Sequence, residues 1–276
     1  MSTEVLFEMP IGPGLIAASP AGDIGWVGLA TSLVMIAIAI AMSIGQRLGL
    51  ERSIVWAAVR AIVQLSAVGA VLGFILDPDR PVALALLWVG LMVAVAAVTV
   101  MRRAPEVPGL LGLAAIAIGA SATVSLGVIF GLGVFPFEGV AVVPLAGMVI
   151  GNCLIATVVA SRRIVGELSD KRGEVEARLA LGLPWQEAAR PHVRAALTTA
   201  LLPPIENTKA VGLVALPGAM TGLILAGVDP VDAVKVQAAV MFLILGSVAT
   251  TVTVISFGLT RRLFTSDHRL VTLHRR

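Results

Sequence analysis

Groups able to do bond chemistry are few and scattered in this sequence. Cys153 is the lone cysteine and cannot build a zinc or iron–sulfur site by itself. His192, His268 and His274 are too dispersed to predict a metal site. There is no His-Glu-x-x-His and no Gly-x-Ser-x-Gly. Lys171, Lys209 and Lys235 follow Asp170, Thr208 and Val234, so a phosphate-cradling loop ending in Gly-Lys-Ser/Thr cannot be written anywhere. The chain is therefore expected to be no enzyme and to bind no cofactor of its own. What stands out is polarity in apolar surroundings. Arg60 and Gln64 are four apart and share a helix face; Asn152 stands alone; Glu206, Asn207 and Lys209 cluster, with Glu206 and Lys209 at pairing distance along a helix. Ionisable groups in a membrane span cost roughly 3 kcal/mol each, and they mark pathways or partners. These six residues are the translocation-pathway candidates. The competing reading is that Arg60 snorkels to the nearby membrane surface and that Glu206 and Lys209 sit at that surface too. Met148, Met220 and Cys153 read as core residues rather than metal ligands.

The elements that would position these groups follow from composition. Of 276 residues, 58% are hydrophobic, 13% charged and 4% aromatic, with a mean hydropathy of +0.98. A soluble chain carries about 25% charged residues, so this one must be solvated by lipid. Disorder and a disulfide scaffold are excluded by the same figures. Seven stretches meet the need of a spanning helix for roughly 20 apolar residues: about 24–44, 54–76, 82–101, 110–134, 140–160, a stretch ending near 226, and 236–259. The sixth runs from Ala195 to Ala226 with Pro203, Pro204, Glu206, Lys209 and Pro217 inside it, and is read as a helix broken near Pro203-Pro204. Residues 1–23 hold Glu4, Glu8 and Asp23 but no basic residue, so a signal peptide is not expected.

The fold class is an all-α polytopic bundle of about seven transmembrane helices. Alternate connections and the tail hold 16 of the 20 basic residues, which puts the N-terminus outside and the C-terminus in the cytoplasm. The pI near 9.7 is then topology rather than a nucleic-acid footprint. Residues 1–23 form an extracytoplasmic segment, 24–260 the transmembrane domain with a cytoplasmic loop at 161–195, and 261–276 a basic cytoplasmic tail. A plasma or inner membrane location follows. Gly147/Gly151 and Gly218/Gly222 repeat at four-residue spacing, as do Gly69/Gly73 and Gly127/Gly131, and are expected to pack helices closely, inside one bundle or between subunits. Trp26, Trp56 and Trp88 lie near span ends as interfacial anchors do. Ser247, Thr250, Thr251, Thr253 and Ser256 are expected to bond between helices or to the preceding turn.

The long connection Ser161–Arg194 is not linker-like. Val175, Leu179 and Leu183 recur every four residues among charged neighbours, predicting an amphipathic helix. Gly182 suits its left-handed end and Pro184 the first turn of a second helix. A helix-break-helix stub of this kind offers itself to another protein; the alternative is that it lies flat in the headgroups.

Glu176-Ala177 followed by Gly182 resembles the Glu-Ala-Ala loop of ABC-transporter permeases, although Arg178 replaces the second Ala and Pro184-Trp185 fall one position nearer the Gly. A longer likeness covers most of the chain. Leu179-Ala-Leu-Gly182, Lys209 through Pro230 and Pro144 through Asn152 resemble the FetB family of ABC-exporter permeases, linked to iron homeostasis and with plant relatives in aluminium tolerance. Arg60 and Gln64 fall in that family's early pattern. The resemblance implies a homodimeric permease that exports iron or another metal, free or chelated, driven by a separate cytoplasmic ATPase that holds the ATP and Mg. Contact with it would fall on Glu176, Leu179, Leu181, Gly182, Leu183, Pro184, Trp185, Gln186 and Glu187. The alternatives are an ion-coupled secondary transporter, for which internal repeats and paired broken helices are missing, and a membrane scaffold or lipid-handling partner of an ATPase.

Overall fold

The computed structural model describes residues 26–77, 80–107, 109–212, 216–265, 267 and 269–271. The expected segment 1–23, the side chain of Trp26, His268 and His274 lie outside the described residues. The rest is almost wholly helical: α1 (Trp26–Gly45), α2 (Glu51–Ile75), α3 (Val82–Arg103), α4 (Leu110–Gly131), α5 (Gly139–Asp170), α6 (Arg172–Ala180), α7 (Trp185–Ala210), α8 (Gly218–Leu225) and α9 (Pro230–Arg262). Helix is the form in which backbone polar groups survive in lipid, because each is satisfied within its own segment. Among the described residues α2, α3, α4, α5 and α9 are each long and apolar enough to cross a bilayer. The expected class, a multi-pass helical membrane protein, is the class found. The other two expected spans fall short by that measure. The apolar part of α1 described is Leu33–Gly45, and α7 carries Glu187, Arg190, Arg194, Glu206 and Lys209 along its length.

Two boundaries differ from the sequence reading. The fifth span does not stop at Ala160 but continues as one helix to Asp170, so much of the supposed loop is helical. Its extension buries Ile164, Val165 and Leu168 along one face, which holds it in helix beyond the apolar run. The expected break at Pro203-Pro204 is also corrected: both prolines lie inside α7. They leave the carbonyls four residues back without helix donors, yet the helix carries on to Ala210. The break comes between α7 and α8 instead. There Gly212 takes φ +97, and Pro217 caps α8 while biasing its predecessor away from helix.

The described chain forms two compact units. The first contains residues 26–74 and 216–237. At its α1–α2 turn the buried Ser43 donates to Glu51 Oε1 at 2.7 Å and accepts the Leu50 N–H at 3.2 Å. Arg47 holds the left-handed φ of 54 that ends α1. No residue of α2 is buried.

The second unit contains residues 75–212 and 238–271. At its centre α5 packs on α3, α4 and α7. Small side chains fill the contact, with Ala97 of α3, Ala114 and Ala117 of α4 and Ala146 of α5 all at 0–1% exposure, as suits helices that lipid does not push together. Val248, Val252, Ile255 and Leu259 of α9 join the same core. Ser121 ties α4 to α9 by donating to the Ser247 carbonyl at 2.6 Å. The hydroxyls of Ser247, Thr250, Thr253 and Ser256 bond back to their own helix.

Close approach occurs at a glycine that the four-residue spacing does not mark. A Cβ on Gly258 of α9 would run into the side chain of Leu113 on α4. Among the spaced glycines, Gly147 meets Met92 Cε at 3.3 Å, whereas Gly151, Gly218 and Gly222 have nothing within 4 Å among the described residues. Close packing inside the chain therefore belongs to Gly147 and not to the other three. Gly258→Ala is expected to lower stability by about 1–3 kcal/mol through overpacking, read as a lower thermal unfolding midpoint of the detergent-solubilised chain. Gly151→Ala, facing open space, should not lower it.

Candidate functional site

Two regions bring the sequence-predicted residues together. The first is an elbow made by the end of α5, α6 and the start of α7. Of the expected apolar stripe, Val175 is fully buried and Leu179 half-buried against the core. Leu183 departs from it: it lies beyond the turn and is exposed. Salt bridges brace the outer face of α6, Lys171 to Glu174 at 3.2 Å and Arg172 to Glu176 at 2.6 Å.

The helix then ends in a Schellman turn. Gly182 takes φ +87, its N–H bonds the Leu179 carbonyl at 2.9 Å, and the Leu183 N–H reaches back to Arg178 at 3.2 Å. A residue with a Cβ resists that left-handed conformation, so glycine is required there. Pro184 sits one place earlier than expected, as the N-cap of α7 rather than in its first turn. The turn leaves Leu181 at 82% exposure, with Gly182, Leu183, Pro184, Glu176, Gln186 and Glu187 exposed around it.

Trp185 is placed differently from its neighbours. It is half-buried and stacks on Phe264, with ring centroids 5.7 Å apart and planes 26° from parallel. Phe264 belongs to a short fold-back after α9, where it pairs with Leu270 across an antiparallel bridge. Arg172 holds that fold-back onto α6 by donating to the carbonyls of Leu270 at 3.1 Å and Val271 at 3.5 Å. Leu263, Phe264 and Leu270 are all buried. Part of the tail is therefore a strap across the elbow, and Trp185 is internal to it rather than part of the outer tip. His192 is buried on α7, with Nε2 3.9 Å from Glu174 Oε2 and no hydrogen-bond partner for that nitrogen among the described residues. Local periodicity carries no signal for the strap, since it and α6 are 98 residues apart.

The second region is the polar end of α7. Lys209 Nζ lies 2.9 Å from Glu206 Oε1, so the predicted pair forms, exposed on both sides. Asn207 is exposed beside it, and Thr208 bonds back to the Pro204 carbonyl at 2.8 Å. Because α7 is unbroken, Glu206 lies 12 residues beyond Arg194, the last basic residue before the apolar run, or about 18 Å along the axis. Asn152 donates to the Met148 carbonyl of its own helix at 2.8 Å. Arg60 and Gln64 are exposed on α2, in the other compact unit. Among the described residues no three of His, Cys, Asp and Glu converge on one point.

Fold and site together define a multi-pass helical membrane protein whose apolar bundle continues into a folded elbow. Its family is shown directly. Residues 26–264 match the model of the Uncharacterised protein family (UPF0014), and the chain belongs to that family. It is 40% identical to the UPF0014 membrane protein STAR2 of Oryza sativa subsp. japonica over 224 residues, covering 81% of this chain and 78% of that one. It is 36% identical to the Probable iron export permease protein FetB of Escherichia coli (strain K12) over 244 residues, 88% of this chain and 93% of the relative. Protein ALUMINUM SENSITIVE 3 of Arabidopsis thaliana is 33% identical over 250 residues, 90% of each chain. No solved structure matches.

The strap makes a prediction of its own. Phe264→Ala removes a buried ring at a cost of about 3–5 kcal/mol of local stability. Limited trypsin treatment should then cut at Arg261, Arg262 or Arg269 much faster than in the unaltered chain, with the spans left intact.

Proposed function

We propose that this protein is the transmembrane subunit of an ATP-driven exporter and that its elbow docks on a separate cytoplasmic ATPase. The observation that carries the reading is the elbow tip: Leu181 at 82% exposure on a turn braced by salt bridges and a strap. An apolar side chain held that far out on a rigid support is a poor neighbour for water and a good anchor for a partner's pocket. The tip is also held off the bilayer. With 32 residues, α5 is about 48 Å long, some 18 Å longer than the hydrocarbon core. ATP and Mg belong to the partner in this reading, and the chain binds no cofactor itself.

A second copy of the chain completes the pathway. No residue of α2 is buried, yet it carries Arg60 and Gln64 on one face; a guanidinium turned to lipid is expensive, and protein or a water-lined cavity relieves the cost. Gly218 and Gly222 leave open space that a neighbouring helix of the second copy fills. Glu206 and Lys209 are the charged groups that rearrange as the cavity changes access. The cargo, a metal ion or its chelate, is carried over from the bacterial relative named as a probable iron export permease. With no ligand cluster of its own among the described residues, one chain offers a bare ion little, so cargo crosses chelated or at a site shared between copies.

Leu181→Asp is expected to weaken copurification of the ATPase about 30-fold or more while membrane insertion is unchanged; undiminished binding would remove the elbow from the contact. Trp185 is the poorer probe, because its loss also frees the strap. In proteoliposomes holding both subunits, Glu206→Gln and Lys209→Met should each cut ATP-dependent metal flux by tenfold or more without changing the amount of complex. Normal flux in both would take the pair out of the pathway.

A further inference from the structure

A groove of about 660 Å³ separates the first turns of α7 from the last turns of α9. The two helices are in antiparallel register there. Trp185 lies against Phe264, and the groove then follows α7 from Trp185 to Leu197 while α9 recedes from Thr260 to Thr253. From α7 come Arg190, Val193, Arg194 and Leu197, whose spacing puts them on one helix face. From α9 come Phe257, 65% exposed, and Thr260, 5% exposed with a buried hydroxyl that has no partner among the described residues.

The Arg190 and Arg194 side chains are exposed, and neither guanidinium makes an ion pair or hydrogen bond with another described residue; the one side-chain bond at Arg194 is to its carbonyl, from the Thr198 hydroxyl. That leaves two free guanidiniums one turn apart at one end of an apolar trough. The polarity follows depth. Thr260 ends the apolar run of α9 just before Arg261-Arg262, which makes the Arg190 and Thr260 end of the groove its headgroup end and the Leu197 and Phe257 end its acyl-chain end.

We propose that this groove binds an anionic phospholipid from the leaflet on the elbow side. The phosphate sits between the Arg190 and Arg194 guanidiniums, whose planar forks suit phosphate oxygens. An acyl chain lies along Val193, Leu197 and Phe257. A free anion would gain nothing from the apolar wall, and an acidic protein segment would have to enter hydrocarbon to reach it. Basic clefts between spans at a membrane face are a recurrent site for such headgroups. The inference stands on the groove and the membrane fold alone and does not depend on the transport reading.

The test is native mass spectrometry of the full chain in mild detergent, titrated with phosphatidylglycerol and, separately, phosphatidylcholine. The unaltered chain should retain phosphatidylglycerol preferentially. R190Q/R194Q should weaken that binding roughly thirty-fold, from about a factor of five per arginine, with phosphatidylcholine unchanged. R190K/R194K should keep part of the preference, and R102Q/R103Q, an equally basic pair at the end of α3, should keep all of it. Equal losses in R190Q/R194Q and R102Q/R103Q would overturn the site, as would displacement of the lipid by millimolar inorganic phosphate, which would mark a free-anion site. A readout without variants guards against misfolding. Phosphatidylglycerol with a photoactivatable acyl chain should label peptides containing Val193–Leu197 and Thr253–Phe257, and labelling confined to other helices would also sink the proposal.

Discussion

A bilayer offers backbone and charged groups no water, and the architecture of this chain follows from where it meets that demand internally. Along the spans, serine and threonine hydroxyls turn back to carbonyls of their own helix. Where a helix must stop, a glycine in the left-handed region lets the last carbonyls be recovered by backbone N–H groups. Gly133, Gly182 and Gly227 all do so in the same way. The polar stretch near the end of α7, Glu206 to Lys209, satisfies itself as a pair. Each of these devices leaves the helix rod intact, so interruptions are concentrated at few places, and those places are where a moving machine would bend.

Much of this was legible in the sequence because it is local. Hydropathy located α2, α3 and α4 to within a few residues, though it ended α5 ten residues early and started α9 six residues late, and the Gly182-Leu183-Pro184 run predicted a turn of the kind found. The spacing of Glu206 and Lys209 predicted their contact. What was not legible depends on partners far away in the chain. Pro203-Pro204 looks like a break by propensity, but α7, packed along α5, runs unbroken through it. Gly258 stands in no repeat, and only the approach of Leu113 from α4 gives it a role. The strap needs Arg172 to find carbonyls of residues 270 and 271, a pairing that no periodicity encodes.

Sequence alone suggested a helix-break-helix stub with partner contact spread over nine residues between Glu176 and Glu187. In the structure its inner half is core: Val175, Ala188 and Ala189 are at 0–1% exposure. The residues available for contact reduce to the turn itself and the outer face of α6. This small surface is firmly held, because α6 packs on α5 and α7 and is tied by Arg172 to the fold-back after α9.

The strap also has a consequence for how the protein is made. Arg172 and the carbonyl it grips are 98 residues apart. At about 5–20 residues per second of synthesis, α6 waits some 5–20 s for a clasp that follows every helix in the chain. During that interval the elbow lacks Phe264 and Leu270, so a nascent or prematurely terminated chain presents an unfinished surface. Recognition by any partner that reads the closed elbow then doubles as a check that translation has passed the last span.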